Sequence, residues 1–196
     1  WALLPRVDRF EDPGPILTKS SHGALFNTLE DVARATNQAM PAQVFLVPEV
    51  NAWVAQRGGV VGIGGRRVMG LGLPLMRVLS TTELRAVLAH EFGHFDAGDT
   101  AVGPWLYKTR AAIGRTLESL EERASVLSLP FVWYAKGFVR LTHAISRQQE
   151  FSADNLAART VGPTALRTGL EKIHRTAPAF NAYWSEEVMP LLERGY

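Results

Sequence analysis

The sequence has 196 residues, 46% of them hydrophobic, which is enough for one domain with its own core. It contains no cysteine, so disulfides, thiolate metal sites and cysteine nucleophiles are excluded, and any metal must be bound by nitrogen and oxygen atoms. Its 21 basic and 19 acidic residues are interspersed along the chain, which argues against nucleic acid as a partner.

The first part of the chain predicts a lead-in and a helix. Residues 1–19 carry three prolines among charged and apolar residues, which favours an extended segment. Over residues 20–40 the apolar side chains recur at helical spacing, and Ser20 or Ser21 is available as the N-cap. We therefore expect a helix with one buried face.

A small sheet of three or four strands is predicted next. The segments 43–47, 51–56, 58–65 and 66–72 are short, β-branched or interrupted by glycines. The glycine-rich segment has no Gly-x-Gly-x-x-Gly spacing and no following Gly-Lys-Ser/Thr, so hairpin turns explain it better than a nucleotide site.

A helix that carries two histidines follows the sheet. Ser80 and Glu83 have the spacing of a capping box, and apolar residues follow at helical intervals. His90 and His94 are four residues apart, so their imidazoles lie on one face of this helix and can bind one metal ion. Glu91 lies beside that face, where it can act as a base on a metal-activated water.

A third ligand is required, because a catalytic zinc site has three protein ligands and keeps its fourth position for water. The three other histidines of the chain are isolated, so a carboxylate is favoured. Glu150 and Asp154 lie on one face of a predicted helix, where the first can reach the metal and the second can accept a hydrogen bond from a ligand imidazole. Two solvated surface acids are the alternative.

The segment after Asp99 also has a helical pattern, with breaks near residues 103–104, 129–130, 162–163 and 177–178. Asp99 itself is interpreted as an N-cap. We divide the single domain, 1–196, into the lead-in (1–19), a helix and small sheet (20–78), the zinc-site helices (79–161) and the C-terminal helices (162–196).

The sequence resembles the HtpX-like and CAAX-prenyl-protease-like zinc metallopeptidases, which are gluzincins. The matching segments are Asn-Ala-Trp at 51–53, LSTTELRAVLAHEFGH at 79–94, Asp99, and SRQQEFSADNLAA at 146–158. The resemblance implies His90, His94 and Glu150 as zinc ligands, Glu91 as the catalytic glutamate and Asp154 as the partner of a ligand histidine. It also implies a cleft edge near Asn51, Ala52 and Trp53, where an extended peptide adds as a further strand. A turn role for Asn51 is the alternative.

Several features depart from that family. Many relatives have membrane-spanning hairpins between the two motifs, but here the most apolar stretch, 129–145, includes Lys136, Arg140 and His143, so a spanning helix is not expected. We expect this stretch to be amphipathic and buried, with contact at a membrane surface as the alternative. Many relatives also have a His-Pro motif after the glutamate ligand, which this chain lacks. His143 and His174 are candidates for the cleft, although a structural role suits each as well.

Taken together, the sequence predicts a mostly helical α+β domain with the small sheet beside the zinc helix. The predicted function is hydrolysis of peptide bonds by one zinc ion, with Glu91 as general base, most simply by an endopeptidase that acts on extended or misfolded polypeptides. A weakly active or inactive zinc module that binds extended peptides is the alternative. By resemblance the protein is expected to be membrane-associated or cytoplasmic, with any membrane contact through residues 129–145 or through segments outside this chain.

Overall fold

One small mixed sheet and a set of longer helices form the structure, which places the chain in the predicted α+β class. The computed structural model describes residues 11–57, 65–96, 113 and 129–195. The strands in these ranges are β1 (Ile16–Leu17), β2 (Gln43–Val47), β3 (Ala52–Arg57) and β4 (Arg66–Gly72). The helices are α1 (Gly23–Ala35), α2 (Leu73–Val78), α3 (Thr81–Asp96), α4 (Leu129–Thr160), α5 (Pro163–Tyr183) and α6 (Met189–Glu193), with a π-helical turn, Trp184–Val188, joining α5 to α6.

The sheet has the strand order β1-β2-β4-β3. β2 and β4 are parallel, whereas β1 pairs with β2 and β3 pairs with β4 in the antiparallel direction. The fourth strand is therefore Ile16–Leu17, within the segment predicted as a lead-in, and it pairs with Val44 and Phe45. A two-residue strand has no alternation of its own, so only the contact with β2 defines it.

The two faces of the sheet are covered differently. One face packs against α1, α3 and α5 in the main core, which includes Val44, Met69, Leu71, Leu29, Val32, Val87, Leu88, Phe92 and Leu166. The other face carries Phe45, Val47 and Val68, all buried, and the partly buried Trp53. Trp53 lies over Gly70, where an added Cβ would be 2.2 Å from the indole. Its side chain is consequently on the face opposite to α3.

α1 is shorter at both ends than the predicted helix. Its N-cap is His22, which makes no side-chain capping bond, so neither Ser20 nor Ser21 caps it. At the other end Asn37 has φ 55°, and the amide N–H of Gln38 donates to the carbonyl of Ala33 at 2.8 Å. This is the Schellman ending of a helix, which asparagine tolerates and which stops α1 before residue 40.

The predicted capping box is present at the start of α3. The backbone N–H of Ser80 donates to Oε2 of Glu83 at 2.8 Å, and the N–H of Glu83 lies 3.3 Å from Oγ of Ser80. The same carboxylate oxygen accepts a hydrogen bond from Nζ of Lys172 on α5 at 2.7 Å. The beginning of the histidine helix is thus joined to a helix 89 residues further along the chain.

The predicted break at residues 162–163 is confirmed, because Gly162 has φ 118° and α5 begins at Pro163. The break at 177–178 is wrong, since α5 continues through Pro178 to Tyr183. A proline within a helix removes one N–H donor and displaces one carbonyl, and it can kink a helix without ending it.

Some predictions lie outside the described residues. These are the first ten residues of the lead-in, most of the glycine-rich segment, Asp99, and the break at residues 103–104. No helix within the described ranges combines the length and apolar character that crossing a bilayer requires.

Candidate metal centre

The two histidines of α3 direct their ring nitrogens toward each other. Nε2 of His90 lies 3.3 Å from Nε2 of His94, and the two rings are nearly perpendicular, with centroids 4.9 Å apart. Residues four apart on a helix share one face, so this arrangement follows directly from the local sequence. The lone pairs of these two Nε2 atoms, one helical turn apart, can therefore bind the same ion.

A carboxylate from α4 completes the group. Oε2 of Glu150 is 3.5 Å from Nε2 of His90, and Oε1 is 3.9 Å from Nε2 of His94. His90, His94 and Glu150 each offer one ligand atom, and these atoms all lie within 4.8 Å of one another. The histidines are largely buried, but the Glu150 side chain is 62% exposed, so the group opens to solvent on the α4 side.

The spacing of these atoms fits a zinc ion. Zinc binds nitrogen and oxygen ligands at about 2.0–2.2 Å in tetrahedral geometry, which places two ligand atoms on one ion about 3.4 Å apart. Nε2 of His90 is 3.3 Å from Nε2 of His94 and 3.5 Å from Oε2 of Glu150, both close to that value, and the 3.9 Å from His94 is to the other oxygen of the carboxylate. One nitrogen–nitrogen pair and one nearby carboxylate therefore suit a cation that prefers mixed nitrogen and oxygen ligands.

Asp154 lies against the more buried histidine. Its Oδ1 lies 2.9 Å from Nδ1 of His90; the two buried atoms are in ion-pair contact, and among the described residues neither has a well-aligned hydrogen-bond partner. Burial, together with the neighbouring His94, lowers the pKa of His90, although the charges of Asp154 and Glu150 act in the opposite direction. A neutral imidazole with its proton on Nδ1, facing the carboxylate, leaves the lone pair of Nε2 free for a metal.

Glu91, between the two histidines, has a strongly shifted pKa. Burial, and secondarily the negative charge of Glu150, raise its pKa from 4.5 to about 8. A carboxyl group shifted this far occurs typically where desolvation and a charged neighbour act together at a functional site. Without a metal, Glu91 therefore holds its proton at neutral pH.

Close packing of α4 against α3 allows Glu150 to reach the histidines. A Cβ added to Gly93 would lie 2.7 Å from Cα of Ala153 and 3.0 Å from its Cβ. The two backbones thus approach each other within one turn of the candidate ligands on both helices. This contact was not predicted from the sequence; its signal is a glycine and an alanine within the two matching motifs, where small residues permit such an approach.

The residues predicted to bind substrate lie in three places. Asn51 is exposed just before β3, and its carbonyl accepts a hydrogen bond from the N–H of Gly72 at 2.9 Å. Ala52 is buried on the face that packs against the helices, whereas Trp53 is on the opposite face. His143 is exposed on α4, and His174 is exposed on α5, where Nδ1 lies 2.9 Å from the carbonyl oxygen of Leu170. A substrate contact remains a prediction for all five.

A helix that presents two histidines around a glutamate, with a carboxylate from a neighbouring helix, is typical of metallopeptidases. The sequence profile described as "Peptidase family M48" matches residues 20–189. The chain therefore belongs to peptidase family M48, and the resemblance to HtpX-like zinc metallopeptidases is confirmed.

Curated relatives agree with this assignment. "Protease HtpX homolog 1" of Streptomyces coelicolor is 28% identical over 209 residues, which cover 91% of this chain and 66% of that protein. "Protease HtpX homolog" of Aquifex aeolicus is 29% identical, with 76% and 55% covered. "Protease HtpX homolog 1" of Sulfurisphaera tokodaii is 36% identical over 83 residues, with 42% and 25% covered. The chain thus spans about two thirds or less of the length of these relatives. No solved structure matches it.

Proposed function

We propose that the chain is a zinc-dependent peptidase in which His90, His94 and Glu150 hold one zinc ion and Glu91 is the general base. The observation that carries the proposal is the convergence of three ligand atoms from two helices, all within 4.8 Å of one another. A zinc ion held there would polarise the scissile carbonyl and lower the pKa of a water molecule.

Glu91 is proposed to take the proton of the attacking water and to pass it to the departing amine. Its partly buried position supports this role, because desolvation makes a carboxylate a stronger base than it is in water. Glu91 can act as a base only when it is ionised. A cation nearby would favour the ionised form, because it opposes the rise in pKa that the negative charge of Glu150 causes. Asp154 is proposed to keep the proton of His90 on Nδ1.

The substrate is proposed to be an extended or misfolded polypeptide that pairs with the free edge of β3. β3 packs against α3, and its one strand partner among the described residues is β4. The N–H of Gly72 donates to the carbonyl of Asn51, so the backbone groups of Asn51 point toward β4. In an antiparallel pair every second residue does the same, and the register of β3 on β4 therefore directs the backbone groups of Trp53 and Ala55 toward β4. The N–H and C=O groups of Ala52 and Val54 therefore point outward.

An added strand would bond to these two residues through its backbone. This moves the proposed contact from Asn51 and Trp53 to the backbone of Ala52 and Val54. Such a contact recognises extended main chain and is largely independent of sequence, which suits an endopeptidase that acts on unfolded segments.

The test compares Glu91→Gln, Glu150→Gln and the native protein, with casein as the substrate and zinc content measured in parallel. We expect Glu91→Gln to keep one zinc per chain and to lose proteolysis, and Glu150→Gln to lose the zinc itself, because three ligands are the minimum for a catalytic site. Glu171→Gln, which removes an exposed carboxylate of α5, is the matched control. Undiminished cleavage by Glu91→Gln would refute the proposed base.

A zinc-containing module that binds extended peptides with little or no cleavage is the second candidate. The absence of a His-Pro motif after Glu150 favours it, because this chain then lacks the oxyanion-stabilising histidine of many relatives. Casein that binds to the native protein and to Glu91→Gln equally well, and that stays intact with both, would select this function.

A further inference from the structure

The outer side of α4 carries large apolar residues that are exposed. Trp133 is 76% exposed, Tyr134 63% and Leu141 62%. Ile145 and Phe151 are also exposed. These five residues, which we call the α4 stripe, fall within about 120° around the helix axis and extend over about 27 Å. The buried residues Ala135, Thr142 and Ala153 lie on the opposite side of the helix.

The expectation that this stretch is buried therefore holds for one side of the helix alone. Single exposed apolar side chains are ordinary at a protein surface, but a row of five on one helix face, three of them aromatic, indicates a binding surface. The stripe is convex, since it lies on the outside of one helix, and a convex surface suits a broad, deformable partner.

A row of cations runs beside the stripe. Lys136, Arg140 and Arg147 are exposed and fall within about 40° of one another around the axis, adjacent to Trp133. Among the described side chains none forms an ion pair with these three residues, and the sequence has no acidic residue between positions 129 and 149. This stretch is therefore uniformly basic within a chain whose positive and negative charges otherwise nearly balance.

We propose that the first two thirds of α4 bind to the surface of an anionic lipid membrane. Apolar side chains on one face of a helix with lysine and arginine beside them are the pattern of helices that lie in the plane of a membrane interface. Tryptophan and tyrosine favour the level of the lipid headgroups, and each basic residue near the surface adds attraction to anionic lipids. A second protein copy would need acidic groups opposite the row, whereas an anionic bilayer supplies them at every position.

The test is sedimentation of the full chain with vesicles of phosphatidylcholine mixed with phosphatidylglycerol, and with vesicles of phosphatidylcholine alone. We expect binding to the anionic vesicles that weakens as salt is added, and little binding to the neutral ones. Lys136→Gln, Arg140→Gln and Arg147→Gln in one protein should weaken binding at least about tenfold. Trp133→Ser with Leu141→Ser should do the same. All five positions are exposed, so the fold is expected to tolerate the changes.

Two control proteins make equal changes elsewhere. Arg34→Gln, Arg159→Gln and Arg167→Gln remove three exposed arginines, and Leu191→Ser with Leu192→Ser removes two exposed leucines of α6. Both controls should bind as the native protein does. Vesicles should shift the tryptophan emission of the native protein to the blue, and Trp133→Phe should lose most of that shift.

Three results would overturn the proposal. One is no binding of the native protein to anionic vesicles at low salt. Another is equal loss of binding in the α4 variants and in the controls. The third is a dimer in the absence of lipid that dissociates when Trp133 and Leu141 are replaced, which would assign the stripe to a second copy of the chain.

Discussion

Gly93 of α3 and Ala153 of α4 are in contact without room for one further carbon atom. An added Cβ on Gly93 would be 2.7 Å from Cα of Ala153, a distance that real Cβ atoms do not show. Gly93 stands between the two histidines, and Ala153 stands between Glu150 and Asp154. The contact therefore sets the distance between the two halves of the candidate metal centre.

Gly93→Ala is expected to destabilise the protein by about 2–3 kcal/mol and to weaken zinc binding, because α4 must move away from α3 to accommodate the methyl group. Chemical denaturation and zinc titration measure the two effects. Gly137→Ala is the control: no atom of the described residues lies within 4 Å of its added Cβ, and alanine favours a helix over glycine by about 0.5–1 kcal/mol. If both variants are stabilised, the packing argument fails.

Asp154→Ala is expected to weaken zinc binding by about 10- to 100-fold, because Nδ1 of His90 loses the carboxylate that orients it. Asp154→Asn keeps an oxygen acceptor without the charge, so its zinc affinity should lie between those of Asp154→Ala and the native protein. Competition with a zinc chelator gives the affinities. Glu171→Ala, which removes an exposed carboxylate, should leave them unchanged, and an equal loss there would point to net charge as the cause.

The raised pKa of Glu91 predicts a pH dependence of stability in the metal-free protein. The folded chain keeps the proton of Glu91 up to about pH 8, whereas the unfolded chain releases it near 4.5, so the native protein loses stability as pH rises between these values. Glu91→Gln does not titrate at this position. Its melting temperature in a chelator should exceed that of the native protein by an amount that grows steadily from pH 5 to pH 8.

Both the native protein and Glu91→Gln contain His90, so the effect of His90 on the melting temperature cancels in the difference between them. Zinc should reduce the difference, since a cation beside Glu91 favours the ionised carboxylate. A difference in melting temperature that stays constant from pH 5 to pH 8 would contradict the raised pKa.

The lowered pKa of Glu83 predicts a pH dependence of stability in the opposite direction from that of Glu91. The ammonium group of Lys172 and then the backbone N–H of Ser80 lower its pKa from 4.5 to about 2, against the effect of burial. The stability from this carboxylate is complete above pH 4.5 and is lost as pH falls toward 2. Lys172→Met should cost about 1–2 kcal/mol at pH 7, and the deficit should shrink over that acidic range.

Arg167→Met is the control on the same helix, because it removes a cation from an exposed pair with Glu171. Such pairs contribute about 0.5 kcal/mol or less. Denaturant titrations at pH 7, 4 and 3 compare the two variants. A deficit of Lys172→Met that persists unchanged at the lowest pH would show that the carboxylate is not its source.

Proline substitutions distinguish the two sides of β3. Val54→Pro removes an N–H that points to the free edge, so the sheet should persist while cleavage of casein falls about tenfold or more. Ala55→Pro removes an N–H that bonds to β4 and should lower the melting temperature by several degrees. Thermal unfolding and casein cleavage are measured together. Full cleavage by a folded Val54→Pro protein would exclude pairing of the substrate at this strand.

Local patterns predicted where the residues of α3 lie relative to one another. The capping box at Ser80 and Glu83 and the two histidines of α3 depend on residues three or four apart, so their spacing alone places them on the same helix face. The group that includes Glu150 was predicted because zinc needs a third ligand and because the motifs resemble a known family. The catalytic roles of these residues, and of Asp154, remain predictions.

Contacts between distant segments could not be predicted in the same way. The pairing of Ile16–Leu17 with β2 has no signature in two residues. Trp53 lies on the face opposite to α3 because of the register of β3 on β4, which sequence spacing does not specify. The contact between Gly93 and Ala153 depends on how two helices cross, and the left-handed Asn37 depends on the backbone after α1.

The bond between Glu83 and Lys172 also bears on the order of events during synthesis. Glu83, in the first turn of the histidine helix, is synthesised 89 residues before Lys172, whose ammonium group pairs with it. Until then the Glu83 carboxylate lacks its cation, and burying it would carry a desolvation cost. A nascent chain arrested before residue 172 should therefore hold zinc poorly, although all three candidate ligands have already been translated.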